Sequence, residues 1–109
     1  MQTLNAALAK CKIVPVVVVH DVAHAAPLAN ALANGGLTVV EVTMRTPAAL
    51  AIISAMVKAR SDLIVGAGTV LNAEHLQQAR DAGAHFGVSP GLNAELREAV
   101  LASGWPFIP

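Results

Sequence analysis

TVVEVTMRTP, residues 38–47, reads as a buried strand running straight into a helix. Val39, Val40, Val42 and Met44 supply the apolar, β-branched run of such a strand. Thr46-Pro47 places a capping side chain ahead of a proline at the first helical position. Two charges interrupt the run, Glu41 and Arg45. Side chains alternate faces along a strand, so Glu41, Thr43 and Arg45 point the same way, with Arg45 at the carboxyl end. One explanation is a plain ion pair sequestered in the core. Buried charges are costly and seldom kept for stability alone, which favours a functional pair instead. The chemistry on offer is a general base, Glu41, below an anion clamp, Arg45.

The same strand-then-helix texture repeats along the chain. Strand-like runs begin near Ile13, Thr38, Leu63, His85 and Trp105, in steps of 25, 25, 22 and 20 residues. Between them, residues 23–35, 47–60, 72–83 and 93–103 carry helical spacing; Leu28, Ala31 and Leu32 mark one helix face, and Leu50, Ile53 and Met56 another. Gly35-Gly36, Gly83 and Gly104 follow three of these helices, where a left-handed residue closes the last turn. Asn72 and Asn93 each follow a strand and can cap the next helix. The order is a leading helix, four βα units and the start of a fifth strand. Alternating βα units imply a parallel α/β sheet with right-handed crossovers. A (β/α)8 barrel normally takes ~250 residues, so 109 residues hold about half of one; an open doubly wound sheet fits the length unaided. Pattern alone leaves both open.

Composition narrows the function classes. The chain is 55% hydrophobic and 13% charged, with seven basic and seven acidic side chains. That is a packed globular composition, and a net charge of zero gives no footprint for nucleic acid or an anionic membrane. The opening MQTLNAALAK lacks the basic start of a signal peptide, and the apolar run IVPVVVV, 13–19, is too short to span a bilayer. Its β-branched content indicates a strand buried on both faces. One cysteine, Cys11, cannot form an internal disulfide, so a cytoplasmic location is expected.

The remaining motifs converge on one rim. The third strand ends in VGAGTV, 65–70, where two glycines allow close backbone approach to a ligand and Thr69 offers a hydroxyl near a helix start. Leu71 stands where a dinucleotide fingerprint needs its third glycine, and no Gly-Lys-Ser/Thr follows for a P-loop. The fourth strand ends in FGVSPGL, 86–92, whose Ser-Pro-Gly is a turn signal at another strand's carboxyl end. Strand carboxyl ends are where both architectures build their sites. His20 and His24 are four apart but lack a third ligand, so they read as exposed loop residues with no metal. His75 and His85 read as surface or strand-edge residues. Cys11 lies between Lys10 and Lys12, which could lower its pKa; its place before the first strand, opposite the rim, favours an inert thiol.

With these residues in hand, the sequence resembles the 2-keto-3-deoxy-6-phosphogluconate/4-hydroxy-2-oxoglutarate (KDPG/KHG) aldolase family. The resemblance rests on GLTVVEVTMRTPAAL (36–50), IVGAGTVLNAEHL (64–76) and VSPGLNAEL (88–96), supported by VPVVVV (14–19) ahead of HAAPLANAL (24–32). It covers essentially all 109 residues in the family's order; Met44, where leucine or phenylalanine is usual, is a small apolar departure. The resemblance implies the amino-terminal half of a (β/α)8 barrel, a Schiff-base lysine with no metal or other cofactor, and a homotrimer. It implies a keto acid substrate cleaved to pyruvate and glyceraldehyde 3-phosphate, or to pyruvate and glyoxylate. Carried over residue by residue, Glu41 is the acid/base group, Arg45 and Thr69 hold the pyruvyl carboxylate, and Pro90 lines the same pocket.

One departure bears on activity. The family's imine-forming lysine belongs to a Lys-Phe-Phe-Pro-like strand beyond the fifth, whereas this sequence stops at WPFIP, 105–109. Lys10 and Lys12 precede the first strand, and Lys58 lies late in a helix. An imine-forming lysine has to be partly desolvated so that its amine is free near neutrality, and none of the three is placed for that. Residues 1–109 are therefore expected to form one partial barrel domain without Schiff-base activity. It would bind keto acids or complement a partner half, and would pair with itself or aggregate through its open edges.

Overall fold

Residues 3–109 are described by a computed structural model. Helix α1 (Leu4–Cys11) leads into strand β1 (Val16–Val17), a single 3-10 turn (Val22–His24) and α2 (Ala25–Asn34). Then come β2 (Val39–Thr43), α3 (Ala49–Ala59), β3 (Ile64–Gly68), α4 (Ala73–Asp81), β4 (Phe86–Val88), α5 (Ala94–Ser103) and β5 (Phe107–Ile108). The strands form one parallel sheet in the order β1-β2-β3-β4-β5. A doubly wound sheet reverses its strand order at a switch point. Here every strand pairs with its neighbour in the chain, which is the order of a barrel wall. The chain is the amino-terminal half of a (β/α)8 barrel: leading helix, four βα units and the first residues of strand five.

The register sorts the side chains onto two faces. Val16, Glu41, Gly66 and Phe86 are aligned across β1 to β4 and share the face that turns away from α2–α5. The other face, carrying Val40, Val42, Val65 and Ala67, packs against Ala25 and Ala29 of α2, Ile52, Ile53 and Met56 of α3, Leu76 of α4 and Leu96 of α5. On the inner face, α1 lays Ala7 over Val39, Ile64 and Phe86, closing the end where the strands begin. Removing a fully buried side chain such as Ile53 costs ~2–5 kcal/mol through lost transfer energy and the cavity left behind.

Local signals were mostly sound. Asn72 and Asn93 cap α4 and α5 by accepting 2.8 Å hydrogen bonds from the His75 and Leu96 N–H groups. Gly36, Gly83 and Gly104 take the positive φ that ends a helix, while Gly35 stays right-handed.

Three expectations need correction. Thr46 does not cap α3, which starts at Ala49 with Ala48 at the cap position and no side-chain bond. The Thr46 hydroxyl instead donates to the Val19 carbonyl at 3.0 Å, tying the loop after β2 to the loop after β1. The run 13–19 is not buried on both faces: β1 is two residues long, and Val16 is 60% exposed. Pro15 offers no N–H to a ladder, and β1 pairs only with β2, so one side of the run stays open. On α2 the inward stripe is Ala25, Leu28, Ala29 and Leu32, with Ala31 facing water.

Candidate functional site

The carboxyl ends of β2, β3 and β4 form one rim, because parallel strands run in the same direction. Arg45 follows β2 in a turn, Thr69 directly follows β3, and Pro90 lies in the bend after β4. Arg45 Nε donates to Thr69 Oγ1 at 3.4 Å, so two of the four residues singled out in the sequence are in contact. Both are accessible, Arg45 exposed and Thr69 half-buried. Pro90 is exposed on the same rim, outside that hydrogen bond. The Ser89 hydroxyl beside it accepts from the Gly91 N–H at 3.2 Å, so the Ser-Pro-Gly segment is held as a turn.

Thr69 has φ +61, a left-handed conformation that a β-branched residue rarely adopts. Its neighbours hold it there: the Gly68 carbonyl accepts from the Met44 N–H at 2.9 Å, and the Val70 N–H donates to the Val88 carbonyl at 3.0 Å. The ladder bonds on both sides fix the turn that presents the hydroxyl to Arg45. Strain of this kind gathers at ligand sites, where surrounding structure over-determines it.

Glu41 lies below the rim on the inner face, half-buried. It makes no ion pair with Arg45; among the described residues the ion pair is Arg60–Asp62, at the far end of α3. The buried-ion-pair explanation of these two charges is therefore set aside. Burial pushes the Glu41 carboxyl up from its ordinary range, and the positive charge of Arg45 works against that without reversing it. A raised carboxyl pKa brings a proton-transfer group closer to neutral pH. Thr43, between the two charges, is buried and donates to the Val17 carbonyl at 3.4 Å, so it ties β1 to β2.

The two glycines of VGAGTV make room for protein groups and not for an outside ligand. The Phe86 ring lies over Gly66, and the Glu41 carboxyl lies over Gly68. Phe86 and Gly68 were missed as site residues because this depends on which side chain of a neighbouring strand fills each gap. The 25-residue step between the second and third strand starts equals the Glu41↔Gly66 register and could have brought Glu41 beside the Gly66–Gly68 segment; no such signal points to Phe86.

The other polar candidates fall elsewhere. His20 and His24 are exposed on the loop before α2. His75 accepts from the Leu71 N–H at 3.3 Å, and His85, at the start of β4, accepts from the Val65 N–H at 2.9 Å through Nδ1. Among the described residues no group of three or more His, Cys, Asp or Glu is placed to hold a metal ion. The Cys11 thiol is pulled below its ordinary range chiefly by hydrogen bonding with the backbone of Thr38 and Ile13, not by its lysine neighbours. It sits at the end opposite the rim, in a cleft shared with Lys10 and Thr38. All three lysines are exposed, Lys10 and Lys12 at the end of α1 and Lys58 in the last turn of α3. Both positions precede a strand, so they too lie opposite the rim.

Residues 4–109 match the family model described as KDPG and KHG aldolase. The chain is 50% identical over 97 residues to the 2-dehydro-3-deoxy-phosphogluconate aldolase of Pseudoalteromonas atlantica, a span that is 89% of this chain and 45% of that protein. It is 47% identical over 97 residues to the KHG/KDPG aldolase of Escherichia coli, covering 89% of this chain and 46% of the relative. Among solved structures, it superposes with a TM-score of 0.91 and 38% identity on KDPG aldolase from Legionella pneumophila, covering 99% of this chain and 52% of that one. That neighbour holds pyruvate captured at low pH as a covalent carbinolamine intermediate. The chain spans about half the length of the curated relatives it matches.

Proposed function

The chain belongs to the KDPG and KHG aldolase family, and from that membership we propose that it carries the carboxylate-binding and proton-transfer half of a keto acid aldolase site. The observation that carries this reading is the Arg45–Thr69 contact at the rim above a half-buried Glu41 with a raised pKa. A guanidinium and a hydroxyl offer two donors to a carboxylate, with Arg45 supplying the stronger, charge-assisted hydrogen bond. Pyruvate carboxylate held there leaves its carbonyl carbon and the adjacent bond on the Glu41 side. Glu41 would shuttle protons during imine formation and take the hydroxyl proton as the carbon–carbon bond breaks. Pro90 would line the same pocket.

The substrates in this reading are 2-keto-3-deoxy-6-phosphogluconate, cleaved to pyruvate and glyceraldehyde 3-phosphate, and 4-hydroxy-2-oxoglutarate, cleaved to pyruvate and glyoxylate. The complete site would work through a Schiff-base lysine without a metal, in a cytoplasmic homotrimer. Among the described residues no helix is long and apolar enough to cross a membrane.

A second reading concerns these 109 residues by themselves, and the position of the lysines favours it. Lys10, Lys12 and Lys58 are exposed at the end opposite Glu41, whereas an imine-forming amine has to be desolvated beside the bound carbonyl. Alone, the chain would bind a keto acid carboxylate without turning it over, or complement a partner half that brings the lysine. Pyruvate affinity and borohydride trapping test both parts. Arg45→Ala should weaken pyruvate binding by ~10-fold or more, the worth of a charge-assisted hydrogen bond. Intact mass after pyruvate and borohydride should show no adduct. Unchanged affinity in Arg45→Ala contradicts the first part, and an adduct on any of the three lysines contradicts the second.

A further inference from the structure

We propose that Gly68 is a positioning residue for Glu41: its missing side chain is the seat in which the Glu41 carboxyl group rests against β3. This rests on the reading of Glu41 as the acid/base group. Gly36, Gly83 and Gly104 are glycines because their φ is positive. Gly68 is not among them, so its backbone conformation is open to any residue, and glycine inside a strand is normally a weakness. What forbids a side chain is the neighbour. A Cβ on Gly68 would overlap Glu41 Oε2 and fall 2.7 Å from Cδ and 2.9 Å from Cγ. Three successive atoms of one side chain are blocked, so turning the carboxyl group alone does not relieve the overlap.

The seat has a floor and a roof. Glu41, Gly66 and Phe86 stand side by side on adjacent strands, and the Phe86 ring, 1% exposed, covers Gly66. Glu41 starts opposite Gly66, yet its carboxyl lies over Gly68, two residues nearer the rim. The ring fills the space over Gly66, next to the seat. Directly above the seat comes Thr69, whose hydroxyl meets Arg45. One strand end, Gly66 to Thr69, therefore fixes the depth of the carboxyl group and the position of the clamp together.

A methyl group at residue 68 should lift the carboxyl toward Arg45 and solvent, removing the burial that raises its pKa. The test is a double-mutant cycle on the 109-residue chain, with thermal midpoints for wild type, Gly68→Ala, Glu41→Ala and the double variant. A carbon-13 NMR titration of the Glu41 carboxyl in wild type and Gly68→Ala accompanies it. Expected are a lowered midpoint in Gly68→Ala, recovery of most of that loss once Glu41 is also alanine, and a downward shift of the Glu41 titration. If Gly68→Ala does not fold, a folded double variant still shows that Glu41 is what the methyl group displaces. An equal loss with and without Glu41, an unfolded double variant, or an unmoved Glu41 titration in folded Gly68→Ala overturns the proposal. Where Glu41 already titrates ordinarily in wild type, the coupling of the thermal midpoints alone decides the seat, and it is the acid/base reading that fails.

Discussion

At the scale of single residues, the candidate site sets stability against presentation. Thr69 shows this most plainly: a β-branched residue at φ +61 stores strain in order to aim one hydroxyl at Arg45. Thr69→Gly should therefore raise stability by at most ~1 kcal/mol, since glycine takes that conformation without steric strain but gives part of the gain back as unfolded-chain entropy. It should also weaken pyruvate binding by ~10-fold through the lost hydroxyl donor. Denaturant unfolding and a pyruvate titration of the same sample read both effects. The placement of Glu41 inside β2 and of Arg45 and Thr69 at strand ends was legible in the sequence, because alternation along a strand and polar residues at strand ends are local patterns. Gly68 was legible only as a glycine. Its purpose depends on a carboxyl group 27 positions earlier, brought beside it by strand pairing.

At the scale of elements, the spacing of strand starts held more than their order. Steps of 25, 25, 22 and 20 compare with register offsets of 25 (Val16↔Glu41), 25 (Glu41↔Gly66), 20 (Gly66↔Phe86) and 20 (Gly87↔Phe107). The one mismatch, between β3 and β4, is a stagger: β4 begins opposite the third residue of β3, and stagger is how a sheet curls toward closure. Strand-start spacing does not contain that term. His85 secures this junction. The Val65 N–H donates to its Nδ1, and its own N–H donates to the Val65 carbonyl at 2.7 Å. Accepting at Nδ1 requires a neutral ring, and burial holds the His85 pKa below its ordinary value. The unfolded chain therefore takes up this proton at a higher pH than the folded one. The stabilisation is present above the ordinary histidine range and is lost as pH falls through the depressed folded value. His85→Ala should cost ~1–3 kcal/mol at neutral pH by stranding the Val65 donor, and should flatten the pH dependence of stability in that acidic window. Unfolding curves from pH 7 downward check the sign. A slope that survives the substitution would assign it to another group.

At the scale of the whole molecule, the sequential order β1 to β5 leaves two open edges and an inner face covered by α1 only at the end where the strands begin. Val16, Val18 and Ile108 are 60%, 47% and 40% exposed, an apolar surface that in a barrel the remaining strands would cover. Light scattering should find the chain self-associated at micromolar concentration; a monodisperse monomer there would show the open edges to be tolerated. The choice between barrel and open sheet was not legible from βα alternation, which both share, and strand order decided it. The central claim is that this half carries the clamp at one rim and the proton-transfer group below it, with its lysines at the opposite end. The most direct measurement is an amide NMR map of the 109-residue chain titrated with pyruvate. Shifts clustered at Arg45, Gly68 and Thr69, absent in Arg45→Ala, are the predicted result. No saturable shifts at that rim, or shifts centred on Lys10, Lys12 and Lys58, would contradict it.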